Sequence, residues 1–391
     1  MSADDTTDQG NAGRASPIRI FLCGDVMTGR GIDQILPEPV NPRLYERYMD
    51  SALGYVEIAE RAHGAIPRPA EFAYPWGAAL EQWARAQPDV RIINLETSIT
   101  RSEDHARKGI NYRMSPENVS CLTAAGIDCC VLANNHVLDW GRAGLIETLE
   151  VLKRSNIRSC GAGRDIAAAS APAILEVKGK GRVLAFAFAT VTSGTPPDWA
   201  ATRDRAGVNF LPQLSDSAAD TLADQVRRIR KPGDVVVASI HWGPNWGYEI
   251  PDEHRKFAHA LIDRAGVSIV HGHSSHHPLG IEVYRDRLVL YGSGDFLNDY
   301  EGIAGIEDFR SDLSLMYFAL LSQASAELLG LDLVPLQMRQ FRLHRASAED
   351  AESIRATVDR ESLKFGARVN RAADDTFALS WERGERRGTR R

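Results

Sequence analysis

The sequence predicts an α/β protein whose sheet is covered by helices on both faces. Three observations predict it. Short runs rich in Ile and Val recur along the chain and lack helical spacing. Amphipathic stretches of helical length lie between them. Composition is globular, at 43% apolar and 25% charged residues over 391 positions, enough to bury a sizeable core.

The elements follow in order. "IRIFLCGD" is strand-length and ends at Asp25, and "VRIINLE" ends at Glu96. "CCVLANNH" ends at Asn134, Asn135 and His136. "DVVVASIH" ends at His241, and "VSIVHGH" ends at His271 and His273. "YPWGAALEQWARA" reads as a helix before the second strand. "SPENVSCLTAAG" reads as one before the third, with Ser115 as N-cap and Pro116 after it. "GRAGLIETLEVLKRSN", "LSDSAADTLADQVRRIR" and "DEHRKFAHALIDRAG" supply three more. Strands alternating with helices imply a sheet buried on both faces. Ligands of open sheets bind beyond the strands' carboxyl ends, so the five polar endings are expected to meet at one rim.

Past Gly302, "RSDLSLMYFALLS" and "LDLVPLQMRQFRLHRAS" alternate well enough for two more strands. The expected organisation is a disordered tail over 1–17, one domain over 18–345, a helical extension over 346–380 and a basic disordered tail over 381–391. No apolar leader precedes residue 17, and no run approaches the roughly 20 apolar residues of a membrane helix. These features predict a cytoplasmic protein without a transmembrane segment. Five cysteines at irregular spacing are expected to be buried thiols rather than a disulfide framework. The net charge of −6 gives no electrostatic case for nucleic acid.

Asp, Glu, Asn and His are the oxygen and imidazole ligands of divalent metals. Four histidines crowd "VHGHSSHHPLG": His271 is expected to bond structurally, His273 and His276 to act, and His277 to sit at the rim. "HWGPNWGYE" places Trp242, Trp246 and Tyr248 after His241, either as packed aromatics or as a cleft wall. Asp139 either orients His136 or caps the helix near Gly141. In "GDFLNDYEG", Asp295 alone is expected near the site, with Asp299 and Glu301 as loop charges.

Six segments, "GDVMTGRG", "INLETSIT", "ANNHVLDWG", "IHWGPNWGYE", "HGHSSHHPLGIEVY" and "LVLYGSGDFLNDYEG", resemble the calcineurin-like metallophosphoesterases, and more closely their CapA branch of capsule and poly-γ-glutamate biosynthesis proteins. The resemblance implies a four-layer metallophosphoesterase-like sandwich, two mixed sheets flanked by helices. It implies metal ligands at Asp25, Glu96 (bridging), Asn135, His241, His273 and His276, with His136 as the acid that pairs with Asp139. Arg30 and Arg113 would bind substrate at the rim, where a guanidinium fork suits a carboxylate. The chain departs from the wider pattern: Val26 and Met27 follow Asp25 where Asp-x-His is usual, Glu96 replaces an Asp, and the last motif is one residue longer. The expected cofactor is therefore one or two divalent ions (Mn, Zn, Fe or Mg), or none.

The implied activity is metal-dependent hydrolysis or acyl transfer on an anionic polymer or peptide with amide links, in an envelope synthesis complex. Phosphoester hydrolysis, metal-free epimerisation between Asp25 and His273, and a non-catalytic scaffold role are the alternatives.

Overall fold

The structure, a computed structural model, describes residues 16–382 apart from positions 304 and 306. Most of both expected tails lies outside these residues. Two mixed sheets dominate. The first runs Ala367–Arg371, Phe377–Trp381, Leu328–Arg339, Leu313–Leu321, Ile18–Val26, Val90–Leu95, Cys129–Val131 and Arg158–Cys160. Asp295–Leu297 adds to it alongside Ile18–Val26, in parallel. The second runs Phe210–Leu211, Gly181–Thr190, Val235–His241, Ile269–His273, Arg287–Leu290 and Ile281–Tyr284.

Side-chain alternation explains how the second sheet is covered. Val235 and Val237 join the core shared with Ile18, Ile20 and Ile92 of the first sheet. Val236, Ala238 and Ile240 point the other way, against Leu222 and Leu261. Those leucines belong to helices Asp216–Ile229 and Asp252–Ala265. The first of these buries Ala219, Leu222, Ala223 and Val226, one stripe at helical spacing. Its N-cap Ser215 accepts from the Ala218 amide.

Parallel pairing sets the strand ends level. His241 lies opposite His273, and Asp25 lies opposite both Asn94 and Asp295. Gly24 makes this approach possible: a Cβ there would fall 1.6 Å from the Gly294 carbonyl oxygen.

Two expectations differ. Ser115 does not cap its helix; its hydroxyl donates to the Glu117 carboxylate at 2.7 Å. The C-terminal extension is not simply helical. Helix Ala348–Leu363 is followed by Ala367–Arg371 and Phe377–Trp381, which finish the edge of the first sheet. Their short alternating patterns, "ARVNR" and "FALSW", carry the strand signal. The 345/346 boundary therefore cuts through a continuous sheet. All five cysteines are free and buried. Among the described residues no helix is long and apolar enough to cross a membrane.

Candidate functional site

The strand ends of both sheets converge on Asp25, which is fully buried. Donor atoms of Asp25, His241 and His273 lie within 4.8 Å of one another, and so do those of Asp25, His276 and Asp295. Asp25 thus belongs to two possible ligand sets. Asn94 orients it, donating to Oδ1 at 2.7 Å, and Asn134 in turn donates to Asn94 at 3.0 Å.

In the first set, His241 Nδ1 lies 2.7 Å from His273 Nδ1, and His273 Nδ1 lies 3.9 Å from Asp25 Oδ1. His241 Nε2 faces Asn135 Oδ1 at 3.1 Å and Glu96 Oε1 at 3.5 Å. In the second set, His276 Nδ1 lies 2.8 Å from Asp295 Oδ1. Asn298 steadies Asp295 with a 2.9 Å bond.

Burial governs the electrostatics. It pushes Asp25 well above its ordinary range, helped by the Glu96 charge, and raises Glu96 to about 7. Burial also raises Asp295. It lowers His241 to about 4 and drives His273 well down. His276 is the exception: burial opposes its charge, yet Asp295, Glu96 and Asp25 lift it to about 9.

This donor set fits a divalent cation. Three buried carboxyl groups converge with imidazoles held neutral by burial. Glu96 Oε2, also buried, accepts no hydrogen bond among the described residues. An added positive charge would satisfy that oxygen and relieve the crowding of the carboxylates.

His136 stands beside this centre, with Nε2 3.7 Å from Glu96 Oε1. Its Nδ1 lies 2.6 Å from Asp139 Oδ2, so Asp139 orients the imidazole. Asp139 does not cap the following helix, whose N-cap is Trp140. Burial lowers His136 to about 4 against the pull of Asp139. Sequence reasoning missed Lys108, which pairs with Asp139 Oδ1 at 2.8 Å and also bonds the Asn135 carbonyl. Its signal was weak, a lone Lys in the loop "ARKGINY".

The arginines sit elsewhere than the rim. Arg30 is 2% exposed and forms a fork on Asp299, with Nε 3.1 Å from Oδ2. It also donates to Glu46 and Tyr55, each at 3.0 Å, and stacks on the Tyr55 and Tyr112 rings. Arg113 is 4% exposed, bonded to the Ser102 carbonyl and Glu103, and lies on the Trp140 ring. Both guanidinium groups are held by internal partners, though Arg113 Nε is buried without a hydrogen-bond partner among the described residues. Asp299 and Glu301 are likewise buried, not loop charges; Glu301 accepts from the Gln340 and Phe341 amides.

Trp242 packs in the core, its indole N–H donating to the Tyr291 carbonyl at 2.9 Å. Half-buried Trp246 is the aromatic beside the site, 5.1 Å from the His276 ring. His277 is buried against Tyr248 and Phe309 rather than placed at an open rim.

Comparison with known proteins finds relatives over most of the chain. Two Mycobacterium tuberculosis proteins, each named probable polyglutamine synthesis accessory protein, are 48% identical over 371 residues, spanning 94% of this chain and 97% of theirs. The PGA biosynthesis protein CapA of Bacillus subtilis is 29% identical over 284 residues, 71% of this chain and 62% of its own length. The capsule biosynthesis protein CapA of Bacillus anthracis is 28% identical over 240 residues, 60% of this chain and 54% of its own. Residues 19–300, from the first strand past the last ligand candidate, match the family described as bacterial capsule synthesis protein PGA_cap, and the chain belongs to that family.

Proposed function

We propose that this protein is a metal-dependent hydrolase or acyl transferase acting on an amide-linked, carboxylate-rich polymer of γ-glutamyl or peptide type. Its place would be an accessory role in capsule or envelope polymer synthesis, within a synthesis complex. One observation carries the proposal: Asp25 is shared by two buried ligand sets, with an oriented imidazole, His136, beside them. Two facing mixed sheets with the site at their strand ends support a metallophosphoesterase-like reading of the fold. The names of the relatives support the polymer class.

Asp25, His241 and His273 would hold one ion; Asp25, His276 and Asp295 would hold a second, with Glu96 and Asn135 alongside. Such an ion would supply Lewis acidity, acidifying water and polarising the acyl oxygen. The protein's own groups do the rest. Asp139 accepts from Nδ1 of His136 and leaves Nε2 facing the centre. That nitrogen takes the proton of the attacking water or amine and returns it to the leaving nitrogen. A C–O or C–N bond forms as the amide C–N bond breaks. With Arg30 and Arg113 enclosed, Lys108 is the cation beside His136, its side chain 24% exposed, and it would meet a substrate carboxylate.

Epimerisation gains no support. It needs Asp25 and His273 on opposite sides of a substrate Cα, and they lie side by side at 3.9 Å.

The test is to assay γ-glutamyl and peptide amides with protein prepared without chelator, stripped, and reloaded with Mn, Zn, Fe or Mg. Cleavage or transfer that disappears on stripping and returns on reloading is expected. Bound metal with no turnover of any amide would contradict the assignment.

A further inference from the structure

We propose that Trp246 determines specificity by holding an uncharged, flat or apolar unit on the acyl side of the amide that is cleaved. The substrate is then asymmetric: uncharged where it gives the acyl carbon, carboxylate-bearing where it gives the leaving nitrogen. The inference rests on the function proposed above and narrows it to the peptide type of polymer.

Direction comes first. Of the four site imidazoles, His136 and His276 reach solvent, at 8% and 7% exposure, whereas His241 and His273 show at most 1%. The first two stand at the ends of the mouth. Tyr112 lies edge-on to His136 at 4.5 Å and Tyr300 edge-on to His276 at 5.5 Å, with their hydroxyls 2.9 Å apart between them. In the reading above, His136 returns the proton to the leaving nitrogen. The leaving unit therefore lies at its end, beside Lys108, 3.2 Å from the His136 ring. The acyl unit extends the other way, toward His276.

That end is aromatic. Trp246 is half-buried, its ring centred 5.1 Å from the His276 ring and 5.2 Å from the Phe309 ring. Tyr248, Tyr300 and Phe309 are half-buried as well. Large rings left part-open beside a site offer apolar area whose covering by a ligand is favourable. Trp242 is the contrast, 2% exposed and bonded inside the core.

The charges at this end disfavour a carboxylate. Arg360 lies over the Tyr248 ring but is paired with Glu361 at 2.8 Å. Arg310, next to Phe309, is paired with Asp312 at 2.8 Å and Asp350 at 2.7 Å. Glu249 and Asp308 are exposed and add negative charge. Aromatic faces are themselves the negative side of the ring quadrupole. A carboxylate placed here would lose hydration and meet cations that are already neutralised. An amide plane, or an aliphatic or aromatic side chain, would lie against Trp246 at no such cost.

The test compares two amides that differ in the acyl unit: N-acetyl-phenylalanyl-glutamate and N-acetyl-γ-glutamyl-glutamate. Both are assayed with the metal-loaded full chain as wild type, Trp246→Ala and Trp246→Phe. The ratio of the two kcat/KM values is the readout, because the fraction of folded enzyme cancels in it. The wild type is expected to favour the phenylalanyl amide about 10-fold or more. Trp246→Ala should bring the ratio near one, and Trp246→Phe should keep most of it. A wild-type ratio at or below one, or a ratio unchanged in Trp246→Ala, would overturn the inference. A wild type that cleaves neither amide would sink the proposed function instead. Saturation-transfer NMR with N-acetyl-phenylalaninamide and N-acetyl-glutamate then decides the aromatic wall by itself. Transfer to the first compound alone, lost in Trp246→Ala, would uphold it. No transfer to the first compound, or transfer that survives Trp246→Ala, would end it.

Discussion

His276 Nδ1 and Asp295 Oδ1 lie 2.8 Å apart, and this pair sets the two ligand sets apart electrostatically. Burial alone would lower His276, but Asp295, Glu96 and Asp25 lift it to about 9. An imidazole must be neutral to ligate a metal. At pH 7 His276 must therefore lose a proton to bind an ion, whereas His241, lowered to about 4, has none to lose. Affinity at the His276 set should rise about tenfold per pH unit up to about 9 and then level off. Calorimetry at pH 7 in buffers of different ionisation enthalpy should show a proton released there. Asp295→Asn should shrink that release, and a release unchanged by Asp295→Asn would refute this assignment.

Asp139 orients His136 through a 2.6 Å contact. Asp139→Asn keeps the shape but lets the amide nitrogen face Nδ1, which favours the wrong tautomer. The expected loss is about 10- to 100-fold in kcat, with KM little changed. Comparing kcat and KM on one γ-glutamyl peptide checks this. An unchanged kcat would remove Asp139 from the proton path.

The enclosed Arg30 fork on Asp299 and Glu46 is structural. Arg30→Met strands two buried carboxylates and should cost about 3–5 kcal/mol. Arg30→Met combined with Asp299→Leu should cost less than the sum of the two single changes, because they share one interaction. Urea unfolding of the three variants measures this. Stability unaffected by Arg30→Met, with weakened substrate binding, would instead restore Arg30 to the rim.

Gly24 lets Asp25 and Asp295 come level. A methyl group at Gly24 would sit 1.6 Å from the Gly294 oxygen, so the two backbones must part. Gly24→Ala should destabilise by more than about 4 kcal/mol, in the range of severe core lesions. Where folded protein survives, metal affinity should fall as well. Thermal unfolding and metal titration of that variant test both statements.

Much of this was legible in the sequence, for physical reasons. Strand ends such as Asp25, His241 and His273 follow runs rich in Ile and Val; parallel pairing sets His241 level with His273, and Asp25 level with Asn94 and Asp295. Local spacing could not show the rest. Arg30 and Asp299 are 269 residues apart, and neither neighbourhood reveals that each neutralises the other. Surface charges and buried pairs look alike until the chain closes. Trp242 followed the same rule: its partner is the Tyr291 carbonyl, 49 residues on. Lys108 gave no pattern because its role depends on a loop folding back over His136.

The central claim is that Asp25 is the common ligand of the two sets. A crystal soaked in Mn, with anomalous diffraction at the metal edge, tests it most directly. Anomalous density bonded to Asp25 together with His241 and His273, with His276 and Asp295, or with both sets is expected. Density confined to groups away from Asp25, or none at saturating Mn, would contradict it.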